Sequence, residues 1–185
     1  MFPAYIENPP DCRFESQDSD ESILLLLRAH PITNLSWVIL AAIIFFIPFI
    51  VPYLIPILRV DLSFIPQQFL PVLILINYLL VLVIVFEGFL GWYFNVYILT
   101  DKRIYDFDFH SLLSKNVDLA PLNQIQEASG STAGILGVIF HFGNVFVQTA
   151  GASIALDFPN VPFPEKVADM IMDQAEKHGG KKHAP

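Results

Sequence analysis

The 185-residue chain is 54 % hydrophobic and only 15 % charged, with a formal net charge of -8 and a mean hydropathy of +0.54, whereas an ordinary soluble domain carries about 25 % charge. Three arginines face eight acids in residues 1–91 and seven bases face ten acids in residues 92–185, so neither half offers the concentrated positive field that nucleic acid requires. Cys12 is the sole cysteine, which excludes an intramolecular disulfide and a four-cysteine zinc site.

Residues 1–22 hold four acids between Glu15 and Glu21 and three prolines, and read as a disordered acidic leader. A secretory signal would open on positive charge followed at once by an apolar core; here the first apolar run begins at Ile23. That run, within residues 23–31, is too short to span a bilayer and is closed by Arg28 and Pro31. It reads as an interfacial segment, helix or strand, with helix preferred, because five consecutive apolar residues carry no period.

Residues 35–58 hold no charged side chain and are long enough to cross about 30 Å of hydrocarbon at about 1.5 Å per residue. Pro48, Pro52 and Pro56 recur along one face of this first transmembrane helix, and each removes a backbone donor, so its second half is expected to be kinked or loosened. A second uncharged span covers residues 66–90, after a turn at Arg59-Val60-Asp61 short enough to make the pair an antiparallel hairpin. Asn77, mid-span, is expected to bond a neighbouring helix or its counterpart in a second copy rather than to line a path. Arg28, Lys102, Arg103 and Lys115 flank the outer ends of the pair and only Arg59 lies in the turn, so both termini are expected in the cytoplasm.

From Trp92 the period changes to two. Trp92–Leu99 and Ile104–Phe109 alternate around Thr100-Asp101-Lys102 and predict a β-hairpin. Strands are also expected at Lys115–Ala120, Gln124–Ser129, Asn144–Thr149 and Ser153–Phe158. Pro162 and Pro164 then introduce a helix over Glu165–Lys177 with an apolar stripe of Val167, Met170 and Ile171. The expected whole is a two-helix transmembrane hairpin followed by a small, mainly-β barrel with a C-terminal helix in residues 91–177, and a disordered tail at 178–185.

Four segments in order resemble the bacterial pleckstrin-homology family of YdbS-like membrane proteins: Y-I-L-T-D-K-R-I-Y (97–105), V-D-L-A-P-L-N-Q-I-Q-E (117–127), G-I-L-G-V-I-F-H-F-G-N-V-F-V-Q-T-A-G (134–151) and F-P-N-V-P-F-P-E-K-V (158–167). The resemblance implies a pleckstrin-homology-like barrel carried on a helical hairpin in the bacterial inner membrane, with no enzyme activity attached.

Nothing in the residues themselves points to catalysis or to a cofactor. His30, His110, His141, His178 and His183 lack metal-ligand spacing, Ser111 and Ser153 lack a legible base, and the glycines form neither a dinucleotide nor a phosphate-loop pattern. Asp106 and Asp108 share one face of a strand and are expected to solvate it. Lys102 and Arg103 in the first hairpin turn, with Asp101, Asp106 and Asp108 near them, are expected to meet anionic lipid heads or a partner rather than one specific headgroup. Ile135, Leu136, Ile139 and Phe140 are the other candidate contact, and the preferred expectation is that they plug the barrel mouth; exposed, they would mark a membrane or partner surface. The expected role is a membrane-anchored binding or scaffolding module whose partners are membrane lipids, a second copy or another membrane protein. The alternative is a non-catalytic subunit of a transport or export assembly.

Overall fold

The structure, a computed structural model, describes residues 3–10, 12–14, 17–59, 66–111, 114–132, 134–150 and 156–179. They form two compact units, Asn34–Leu90 alone and Met1–Thr33 together with Gly91–Pro185.

The first unit holds two helices, α1 (Leu35–Leu58) and most of α2 (Leu70–Phe94), the latter introduced by a 3₁₀ turn at Gln67–Phe69. Both are long and apolar enough to cross a membrane. Only Ala41 is buried on α1 and no residue is on α2, so neither serves as the core helix of a globular domain. Arg59 ends α1 in the left-handed region, its N–H bonded to Ile55 O. Residues 60–65, where the inter-helix turn was expected, lie outside the described residues.

α1 runs unbroken through Pro48, Pro52 and Pro56. Proline has no N–H, so the carbonyl four residues before it loses its helical donor; for Pro48 that carbonyl is Ile44 O. The Asn77 side-chain amide of α2 donates to this same oxygen at 3.1 Å. Asn77 is therefore used in packing the pair, with Phe45 and Tyr78 in ring contact beside it. Asn77→Leu is expected to weaken the pair by about 1 kcal/mol, as is typical of apolar surroundings. In a Pro48→Ala background, where the helix supplies its own donor, the same change should cost almost nothing. Unfolding of the full chain in mixed micelles measures the cycle, and equal costs in both backgrounds would refute the pairing.

The second unit is built on two sheets. Strands β1 (Tyr5–Glu7), β2 (Ile23–Leu27), β3 (Val96–Thr100), β4 (Arg103–Ser111) and β5 (Ser114–Pro121) form an antiparallel five-stranded sheet in that order. Strands β6 (Ile125–Ser131), β7 (Phe142–Thr149) and β8 (Leu156–Pro162) form a three-stranded one. A short helix α3 (Gly134–Phe140) links β6 to β7, and α4 (Pro164–Gly179) closes the chain. Leu25, Leu99 and Ile104 of the first sheet, with Leu122 just after it, meet Val145, Val147 and Phe158 of the second, and Val167 and Ile171 of α4, in one buried core.

Several expectations change. The segment at 23–31 is not an interfacial helix. Ile23–Leu27 is a strand between β1 and β3, and an irregularity in its pairing between Ile23 and Leu25 turns Ile23 to the outer face while Leu25 and Leu27 enter the core. Residues 1–22 are not wholly a disordered leader either, since Tyr5–Glu7 adds a strand and Lys166 of α4 binds Glu7 at 2.7 Å. The domain expected at 91–177 thus includes residues upstream of α1. α2 continues through Trp92–Phe94, because aromatic residues at every position there carry no usable alternation and nothing breaks the helix before Asn95. The sheets do not close into a barrel among the described residues: a 3₁₀ turn at Leu122–Gln124 separates β5 from β6. α4 extends to Gly179, and residues 151–155 and 180–185, which hold the start of the last expected strand and most of the expected tail, lie outside the described residues.

Candidate functional site

The β3–β4 turn carries Lys102 and Arg103, and both cations are engaged within the chain. Lys102 Nζ lies 2.6 Å from Asp20, and Arg103 donates to Asp18 at 2.8 Å and to the Tyr105 hydroxyl at 3.2 Å. The turn also exchanges two bonds with the N-terminal segment, Asp101 N–H to Ser22 O and Ser22 N–H to the Asp101 carboxyl. β3 starts at Val96, next to the end of α2, and spends five residues reaching this turn. At about 3.3 Å per residue the turn is about 16 Å along the strand from Asn95. Lys102 and Arg103, expected to meet lipid heads or a partner, already face acidic partners within the chain.

Glu21 anchors the same contact. It is 6 % exposed, accepts from the Thr100 hydroxyl at 2.5 Å and from the Tyr105 hydroxyl at 3.1 Å, and Thr100 in turn accepts the Arg103 N–H. Phe14 packs edge-on to Tyr105 and Phe107 on the outer face of the sheet, where Ile23, Ile98 and Tyr105 form a second cluster with Cys12. A cleft of about 500 Å³ under this segment is lined by Asn8, Arg13, Gln17 and Glu21. Composition hid the contact, because acids and prolines in residues 1–22 read alike whether free or docked; the run of acids in the leader, set against two bases in the hairpin turn, is the available signal.

Asp106 departs from the expected solvated face. It shares a face with Ile104, stands opposite Tyr97 and Asp118 in the ladder, and its Oδ1 is buried without a hydrogen-bond partner among the described residues. Burial, then the neighbouring Asp108, Asp118 and Asp157, push its pKa up from 3.8 to about 7. The folded chain therefore holds a proton that the unfolded chain has released, so this group's contribution falls as pH rises from about 4 to about 7 and the penalty is complete above that window. Asp106→Asn is expected to stabilise the full chain at pH 8 by about 1–2 kcal/mol, after allowance for solvent screening of a partly buried group, and to do little at pH 4. Denaturant unfolding at the two pH values checks it, and equal effects would refute the assignment.

At the opposite end of β2 the chain leaves for α1 and returns from α2 side by side. Trp92 Nε1 donates to Ala29 O at 2.8 Å, the Arg28 guanidinium lies 4.9 Å from the Tyr93 ring centre, and His30 N–H bonds Asn160 O at 2.7 Å. The His30 ring stacks on Phe142 and lies 6.2 Å from Phe140 of α3; burial lowers its pKa.

α3 corrects the expectation of a plug. Ile135 is 80 % and Ile139 60 % exposed, and Leu136, Val138 and Phe140 are exposed too. Only Gly137 turns inward, where a Cβ would come within 2.9 Å of Phe142 O. The two candidate contacts, Lys102 with Arg103 and Ile135 through Phe140, thus sit on separate elements and are not brought together. Among the described residues no three His, Cys, Asp or Glu side chains are placed to hold a metal ion.

A family model described as bacterial PH domain matches residues 23–175. Neither the curated proteins nor the solved structures contain a match to the chain.

Proposed function

The chain belongs to the bacterial PH domain family, and from that premise we propose that it is a non-catalytic binding and scaffolding module anchored in the bacterial inner membrane. Its two-sheet domain works at the cytoplasmic face and recognises a protein partner or a second copy of itself there. One observation carries this reading above the others: the Ala29–Trp92 and Arg28–Tyr93 contacts hold together the two ends of a segment whose helices are long and apolar enough to span. A domain tied at both ends in this way stays at the bilayer surface, and Trp92 and Tyr93 have the chemistry of an interfacial aromatic belt. On this reading the β3–β4 turn, where Lys102 and Arg103 are half-buried and paired with Asp20 and Asp18, is a polar surface suited to a protein partner.

The transport or export alternative drew on Asn77 as a path residue. Its amide is used on Ile44 O, so no observation favours that alternative.

The test is mild-detergent purification of the full chain after crosslinking in intact cells, followed by mass spectrometry. Crosslinks from residues 101–103 to a second copy or to one defined membrane protein are the expected result. Recovery of uncrosslinked monomer alone, under conditions that preserve other membrane complexes, would overturn scaffolding. Cysteine labelling that found residues beside Arg59 inside and those beside Lys115 outside would overturn the orientation.

A further inference from the structure

We infer that α3 is a third membrane contact, a short apolar element that enters the interfacial layer of the bilayer beside the ends of the two spans. The inference rests on the membrane-anchored reading above and names the occupant of a surface left open there. A surface helix of a soluble domain turns its large side chains inward and its polar ones out. α3 does the reverse. Its inward position is Gly137, the smallest residue available, and its five large hydrophobes, Ile135, Leu136, Val138, Ile139 and Phe140, are all exposed. No side chain from Gly134 to Phe140 carries a hydrogen-bond donor, acceptor or charge. Thr132, His141, Glu165 and Lys166 border α3 on the side of Val138, so an apolar element with a polar margin matches insertion at the boundary between hydrocarbon and headgroups.

The position of α3 selects the bilayer over a second copy. Phe140 lies against His30, two residues beyond Arg28, in the stretch where Ala29 and Trp92 meet. α3 is therefore on the edge of the domain from which the chain departs into the apolar helices, the edge that an anchored domain turns to the membrane. Docking there costs little entropy, since the tether already supplies a high local concentration of lipid surface. Each buried large side chain adds favourable transfer energy without an offsetting polar penalty.

The experiment uses the full chain in phosphatidylcholine vesicles, with Cys12→Ser to remove the native thiol and a single environment-sensitive fluorophore at Ile139→Cys. A second preparation carries the label at Leu80→Cys in α2. Brominated phosphatidylcholine is expected to quench both labels, and aqueous iodide to quench neither. If the α2 label is quenched by brominated lipid and the α3 label is quenched by iodide instead, α3 faces water and the inference fails while anchoring stands. An α3 label shielded from both quenchers means that protein covers it, which also overturns the inference. An α2 label quenched only by iodide overturns anchoring, and the inference with it.

Discussion

Gly130→Ala is expected to lower the stability of the full chain by about 3 kcal/mol, which for a domain of this size is a fall in unfolding midpoint of about 10 °C or more. A Cβ at Gly130 would come within 2.5–2.6 Å of Pro164 C, Pro164 O and Glu165 N. All three are backbone atoms at the start of α4, so no rotamer change relieves the clash. α4 must lift from β6, and Val167, Ala168 and Ile171, now buried in the core, partly lose their contacts. Gly91→Ala is the control, because nothing lies within 4 Å of that position; it should leave the midpoint almost unchanged. Thermal unfolding in detergent, with limited proteolysis of residues 164–179, distinguishes the two. A Gly130→Ala chain as stable and protease-resistant as its parent would show that α4 does not pack as described.

Glu21→Ala is expected to cost about 2–3 kcal/mol and to release the N-terminal segment. Thr100 keeps the Arg103 carbonyl as acceptor, but the buried Tyr105 hydroxyl loses its acceptor and retains only the Arg103 donor. With Glu21 gone, the Ser22–Asp101 bonds and the Phe14 packing remain, joined only by the Asp18–Arg103 and Asp20–Lys102 pairs. Both are solvent-exposed, and such pairs contribute little. Hydrogen exchange should rise across residues 17–25 and 98–105 and remain unchanged in β7. Glu21→Gln, which preserves one acceptor, should show a smaller effect of the same pattern. Unchanged exchange in both regions would mean that Glu21 is not the anchor.

Much of the architecture is readable where it depends on local chemistry. α1 covers the uncharged run from Leu35 to Leu58, the hairpin turns at Asp101 and Lys102, and α4 follows Pro164, because charge, turn residues and period are properties of neighbouring positions. The four spaced segments that resemble a bacterial pleckstrin-homology family lie within the span that the family model matches. What escapes the sequence depends on distant partners. Ile23–Leu27 has no period, and pairing with β1 and with the edge of β3, supplied about 70 residues later, makes it a strand. Asp106 has the alternation of a solvated position, and its burial is set by Tyr97 and by Asp118 across the ladder. α3 reads as an apolar segment, but whether it turns in or out depends on Gly137 meeting Phe142.

The order of the five-stranded sheet has a consequence for synthesis of the chain. β1 and β2 are made before α1, whereas β3, β4 and β5 follow α2. β2, a wholly apolar strand, has no partner on one side until the ribosome has finished both long helices and delivered β3. At about 5–20 residues per second that wait lasts several seconds, during which Ile23–Leu27 is exposed to mispairing. The domain is therefore completed only after the apolar pair has been made, and correct placement of that pair becomes a precondition for closing the five-stranded sheet.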